Sequence, residues 1–405
     1  MNLKPPKNFQ NTEKNNPSFM KINSAKLYSF PVRGRTEWLI LEICSDSNYK
    51  GFSELTMSNY RKNNQLKVAL VEGLNKLSKK EIYNDIQISD LININEATND
   101  LALATSISGI RSACSDIFAQ ESSKSLKEYL RNLFSLKGFS SNTIKLYANI
   151  NRSLLPNDNG PVDRSTAAFV KMAKKAISDG FSYIKCAPFD NYPDDFYTSN
   201  KFINAGLARI DAIANILNNE QKLFVDCHSK FDINTSIEVE QKLFALGVAW
   251  FEEPMNPKKF SKELKSIKKL INGNLVGGEE FFGAKKFLET LNSKTLDILM
   301  PDVKYCGGLV EATKIGIELA KKSQNSFSIH CPSGPISLLG SSHVTAALNS
   351  KLPMEHAVYE IDDRYSYIFP EEAISNGEFN FPTGLGLGAK PNFKKSHKTL
   401  LDINY

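Results

Sequence analysis

Apolar residues follow three kinds of pattern along this 405-residue chain. Between 21 and 57 they alternate with polar ones over residues 26–31, 38–43 and 52–54. A loop at 32–36 and a turn at 46–51 separate these stretches, so they predict an antiparallel meander. Between 65 and 137 the period lengthens, and Leu66, Leu70, Leu74 and Leu77 share one helical face. Strands followed by helices predict a separate α+β unit. From 143 onward, short apolar runs alternate with helical segments. The candidate strands are residues 145–149, 183–186, 223–226, 248–251, 275–277, 298–300, 327–330 and a last one near 357–360. Thr235 with Glu238 reads as a capping box for the helix after the third strand, and Gly247 as its stop. Eight such units in roughly 220 residues predict a (β/α)8 barrel of the TIM type, with chemistry at the C-terminal strand ends.

The domain reading is an arm at 1–19, a capping domain at 20–142, the barrel at 143–370 and a tail at 371–405. The arm is rich in Asn, Lys and Pro and has no apolar signal core. The glycine-rich stretch 383–388 lacks GxGxxG after a strand. It reads as a loop returning to the first domain, not a phosphate cradle.

Composition narrows the function classes. Apolar residues make up 41% and charged ones 23%, as in ordinary globular proteins. The formal charge of +6 is spread along the chain, with no basic block interleaved with aromatics, which disfavours nucleic acid and mildly favours an anionic substrate. No run approaches the length of a membrane span. The six cysteines form no CxxC pair, so free thiols in the reducing cytoplasm are the plain reading. Cys186, Cys227 and Cys331 neighbour candidate functional residues, but alternation turns them away as packing residues.

Three strand ends carry acids: Asp226, the pair Glu252-Glu253 and the pair Glu279-Glu280. Carboxylates converging from successive strands repel one another unless a cation lies among them, and an all-oxygen set suits Mg²⁺ before Zn²⁺. The bland alternative is three solvated strand ends. His228 stands two residues after Asp226, in phase with it if the strand continues. His330 and Asp302 end neighbouring strands. A carboxylate on one ring nitrogen fixes the tautomer and raises the basicity of the other, although a structural pair would look the same. Lys185 ends the second strand and, pointing inward, would face an anionic oxygen; pointing outward it would only snorkel. Arg33 and Arg35 in the capping loop could reach a distal substrate group.

The order Lys185, Asp226, Glu252-Glu253-Pro254, Gly278-Glu279, Pro301-Asp302 with Gly307-Gly308, His330 and Glu360 resembles the mandelate racemase subgroup of the enolase superfamily. The resemblance implies a modified barrel, (β/α)7β-like, with an N-terminal α+β capping domain. It implies Mg²⁺ held by Asp226, Glu252 and Glu279, a His330–Asp302 base dyad, and Glu360 as the eighth-strand acid supporting the enolate oxygen. Homo-oligomers, dimers or octamers, are common in that family.

Two departures refine the reading. Ala187 stands where many relatives carry a second lysine as opposite-face base. Asp226-Cys227-His228 replaces Asp-x-Asn and resembles the family's acid-sugar dehydratases, in which that histidine protonates a departing hydroxyl. The sequence thus reads as a Mg²⁺-dependent dehydratase of an aldonate or aldarate, a small anionic sugar acid. The alternatives are a racemase, epimerase or cycloisomerase acting through the same enediolate, and a barrel that binds sugar acids without turnover. Loops at 32–36, 188–195 and 332–337 would set specificity.

Overall fold

The computed structural model describes residues 19–33, 36–57, 62–91, 95–154, 163–190 and 200–405. Arg35, the arm up to residue 18 and the stretch 191–195 of one specificity loop lie outside these residues, as does the Arg33 side chain.

The first unit opens with β1 (Ile22–Arg33), β2 (Thr36–Ser45) and β3 (Lys50–Glu54), paired antiparallel in that order. Helices α1 (Asn63–Leu77), α2 (Asp85–Leu91), α3 (Leu101–Glu121) and α4 (Leu126–Leu133) follow. Leu66, Leu70, Leu74 and Leu77 are buried along one face of α1, as the four-residue spacing requires. They join Leu39, Leu41 and Ile43 in the core of this unit.

The barrel is TIM-type. It runs β4 (Thr143–Asn149), α5 (Thr166–Ser178), β5 (Tyr183–Cys186), α6 (Asn200–Ala214), β6 (Lys222–Asp226), α7 (Ile233–Ala245), β7 (Val248–Glu252) and α8 (Ser261–Ile267). Then come β8 (Asn274–Gly277), α9 (Gly283–Asn292), β9 (Ile298–Leu299), α10 (Gly308–Ala320), α11 (Pro335–Leu348) and β10 (Met354–Ala357). Strands β4 to β9 are parallel neighbours, and β10 closes the ring on β4. No barrel helix follows β10 before the tail, which is the (β/α)7β form.

Three local expectations need correction. The eighth strand lies at Met354–Ala357, not near 357–360. The seventh is no regular strand. It is an isolated bridge of Phe327 to Leu299, with the Leu299 N–H donating to Ser326 O at 2.9 Å and the His330 N–H to Pro301 O at 3.2 Å. Pro301 has no N–H to extend the ladder, so pairing stays short. The cap of α7 is Asp232, whose carboxylate accepts from Thr235 N–H at 2.8 Å; Thr235 is already inside the helix.

Alternation explains both the packing and the site above it. Tyr147, Phe224, Trp250, Val276, Ile298 and Met300 fill the barrel interior, with the Phe224 and Trp250 rings stacked 3.8 Å apart. Two residues further along four of these strand paths stand Asn149, Asp226, Glu252 and Asp302, on the same face but at the mouth. Cys186, Cys227 and Cys331 pack instead in the shell between sheet and helices. All six cysteines are unpaired.

The tail contributes β11 (Ile368–Phe369), β12 (Ala373–Ser375), β13 (Glu378–Asn380), β14 (Lys390–Pro391) and β15 (Lys398–Asn404). β15 pairs antiparallel with β1 and completes a four-stranded sheet. Gly386 adopts φ +61 where the tail crosses α3; a Cβ there would run into Asp116 Oδ1. A second tie is Glu54, which accepts from the N–H groups of Gly334 at 2.7 Å and Ser337 at 3.0 Å at the start of α11. A carboxylate there complements the helix N-terminus by about 1 kcal/mol.

Candidate active site

Each barrel position delivers one polar side chain to the mouth. In order they are Asn149, Lys185, Asp226, Glu252, Glu279, Asp302, His330 and Glu355. Asp226, Glu252 and Glu279 each offer an oxygen within 4.8 Å of the others. That is an all-oxygen donor set of the size a hard divalent cation occupies, so these residues fit Mg²⁺. Glu253 does not join them. Its backbone takes φ +36, and its carboxylate turns back to accept from the Gly278 N–H at 2.8 Å.

Lys185 points inward and is fully buried. Its Nζ donates to Glu252 at 2.7 and 3.0 Å, and lies 2.9 Å from Glu355 and 3.6 Å from Asp226. Burial disfavours its charge, but Glu252 and Glu355 outweigh that and raise its pKa well above the ordinary lysine value. Among the acids, burial and the neighbouring Asp226 push Glu252 well up. Burial also acts on Asp226, but His228 and Lys185 overcome it and hold that carboxyl below the usual range.

His330 Nδ1 lies 2.9 Å from Asp302 Oδ2, and Nε2 lies 2.9 Å from Glu279 Oε2. Asp302 is buried and receives two more bonds, from the Lys304 ammonium and the Lys304 N–H, both at 2.8 Å. Despite burial, Lys304 and His330 hold the Asp302 carboxyl low. Burial opposes protonation of His330, yet Glu279, Glu355 and the Asp302 bond raise its pKa well above the ordinary value.

His228 reaches the site by a route alternation did not foresee. β6 ends at Asp226, and His228 and Ser229 both adopt left-handed backbone, φ +46 and +59. The turn swings the ring back so that Nε2 is 3.2 Å from Asp226 Oδ2, while Nδ1 is 2.8 Å from both oxygens of Asp190.

Glu360 is buried three residues past its strand, as Asp302 is past β9. It lies beyond β10, with its carboxylate 3.9 Å from Arg152. The acid on the eighth strand is Glu355, which accepts from Asn149 at 2.7 Å, Lys185 at 2.9 Å and the Cys331 N–H at 2.9 Å. Glu355 was overlooked because the strand was set too late. The short connection after α11 places residue 354 at the strand start, and that signal points to Glu355. Lys304, Asn149 and Asp190 were also missed.

The model of the family described as Enolase C-terminal domain-like matches residues 168–395. Among curated relatives, an arabinonate dehydratase of Saccharolobus solfataricus is 27% identical over 283 residues, 70% of this chain and 68% of that protein. A D-gluconate/D-galactonate dehydratase of Picrophilus torridus is 26% identical over 234 residues, covering 58% of this chain but only 59% of its own length. Among solved structures, a member of the enolase superfamily from Salmonella Typhimurium aligns over 94% of this chain and 100% of its own, with TM-score 0.81 and 19% identity. A mandelate racemase/muconate lactonizing enzyme from a Sulfitobacter species aligns over 93% of this chain and 94% of its own, with TM-score 0.79 and 18% identity. The chain therefore belongs to the Enolase C-terminal domain-like family and, with it, to the mandelate racemase subgroup of the enolase superfamily.

Proposed function

We propose that the protein is a Mg²⁺-dependent dehydratase of a sugar acid, converting an aldonate or aldarate to a 2-keto-3-deoxy acid. The observation that carries this reading is the pair of histidines, His330 on the seventh barrel position and His228 on the third. These positions are four apart in a ring of eight, so they face each other across the acid cluster. Each ring has a buried carboxylate behind it, Asp302 or Asp190. The relatives named as acid-sugar dehydratases support the same class.

Asp226, Glu252 and Glu279 would hold the metal. When bound, Mg²⁺ supplies fixed positive charge against the substrate carboxylate as negative charge builds on it. Lys185 adds a buried cation beside it, and Glu355 orients that ammonium. Asp302 accepts the Nδ1 proton of His330, so Nε2 is the nitrogen that takes the α-proton. The electron pair left on the α-carbon forms the enediolate, then the double bond that expels the β-hydroxyl. His228 donates the proton with which that hydroxyl leaves as water. The enol tautomerises to the 2-keto acid, and one water is the only other product. Ala187 cannot move a proton, which leaves no lysine at that position for inversion. The unpaired cysteines suit a reducing cytoplasm.

The test is a panel of aldonates and aldarates, incubated with purified protein and Mg²⁺ and followed by proton NMR in D₂O. A 2-keto-3-deoxy product with no inverted α-epimer is expected. Accumulation of the inverted epimer without keto acid would replace this reading with a racemase.

A further inference from the structure

Asp190 follows β5 within the loop 188–195, and no sequence feature marks it as a partner of His228. Its carboxylate is 4% exposed, and both oxygens stand 2.8 Å from His228 Nδ1. Asn151 at 3.5 Å and the Lys230 ammonium at 3.7 Å flank the carboxylate. The His228 side chain itself is 40% exposed and hangs from two successive left-handed residues. A half-exposed ring on such a turn has neither strand alternation nor tight packing to set its direction. Its other side-chain partner, Asp226, belongs to the acid cluster. Among the described residues Asp190 is the side-chain partner outside that cluster, and it mirrors what Asp302 does for His330.

We propose that Asp190 is the positioning residue of His228. By accepting from Nδ1–H it turns Nε2 toward the substrate's β-hydroxyl. The proposal rests on the dehydratase reading, in which His228 supplies the proton for the leaving hydroxyl. It separates from a merely structural tie between two loops because the two halves of the reaction use different histidines. Disturbing His228 should leave proton abstraction by His330 in place.

The experiment uses the full-length protein with Mg²⁺ and a sugar acid that the wild type dehydrates, in D₂O. Asp190→Asn should cut 2-keto acid formation by on the order of 10–100-fold. Its KM and its α-proton exchange should match those of His228→Asn, in which elimination is lost and exchange persists. Asp190→Glu should recover part of the elimination rate, and it also serves if Asp190→Asn does not fold. Equal loss of exchange and elimination, or no loss of either, overturns the proposal. A second readout is independent of turnover. With ¹⁵N-labelled histidine the five rings of the Mg²⁺-loaded protein are compared by NMR, and His228 is assigned by its absence in His228→Asn. Asp190→Asn should move the His228 ring nitrogens and leave unmoved those of His343, which is buried in α11 between the Lys127 N–H and the Leu387 carbonyl. Unchanged His228 signals overturn the positioning role. Wild type that makes no keto acid from any sugar acid overturns the dehydratase reading instead, and the ring signals still decide whether Asp190 holds His228.

Discussion

Replacing Asp302 by asparagine should damage stability and turnover through two separable causes. Asp302 is fully buried, and its Oδ2 serves both His330 Nδ1 at 2.9 Å and the Lys304 ammonium at 2.8 Å. Oδ1 accepts from the Lys304 N–H at 2.8 Å. An asparagine can keep the last bond with its carbonyl. Its amide nitrogen then faces two donors, the ammonium and the ring N–H. The Lys304 ammonium, 3% exposed, loses its counter-charge, and breaking a buried pair from one side costs roughly 3–5 kcal/mol. The melting temperature should fall by on the order of 5 °C or more. The ring, no longer offered an acceptor at Nδ1, moves its proton to Nε2 and stops being a base, which costs about 10²–10⁴ in rate. Adding Lys304→Met removes the orphaned charge. The double variant should regain stability to within about 1 kcal/mol of wild type while its turnover stays low. Thermal melts and keto-acid assays on the four proteins of the cycle test this. A double variant no more stable than Asp302→Asn would refute the unpaired-lysine account. An Asp302→Asn enzyme with wild-type α-proton exchange would refute the dyad.

Two further outcomes follow from other parts of the structure. Mg²⁺ at about 100 times its Kd should stabilise the wild type by roughly 2.7 kcal/mol, and Asp226→Asn, Glu252→Gln or Glu279→Gln should each abolish both that thermal shift and turnover; full activity after chelation would sink the metal reading. Burial raises the Asp116 carboxyl from 3.8 to about 7, against the bonds it accepts from the Leu387 N–H at 2.8 Å and the Phe52 N–H at 3.0 Å. Below about pH 4 the group is protonated in both states and costs nothing. As pH rises through 7 the unfolded chain has already released the proton, so the fold loses about 4 kcal/mol. Asp116→Asn should therefore gain on the wild type between pH 5 and 8 in urea midpoints, and a gap that does not change in that direction refutes the assignment.

Sequence by itself determined what rests on local periodicity. Alternation and four-residue spacing are properties of the covalent backbone, so they mark strands such as Val248–Glu252 and the buried face of α1 without any tertiary knowledge. The same alternation carries the inward phase from Phe224 to Asp226 and from Trp250 to Glu252, whereas the choice of Glu252 over Glu253 came from the family resemblance and Glu279 stands three residues after the inward Val276, past two glycines at positive φ. Tertiary structure decided what depends on groups distant along the chain. Glu355 acquires its place from Asn149, Lys185 and Cys331, more than 20 residues away in each case. Asp190 looks like an ordinary charged loop residue until the fold buries it against His228. His228 also shows that the right residue can be reached for the wrong local reason: its direction comes from a left-handed turn and a carboxylate 38 residues earlier, not from an extended strand. Burial converts such contacts from negligible to decisive, because a charge removed from water must find its partner in the protein. That partner is chosen by the closing of the barrel, which no local pattern encodes.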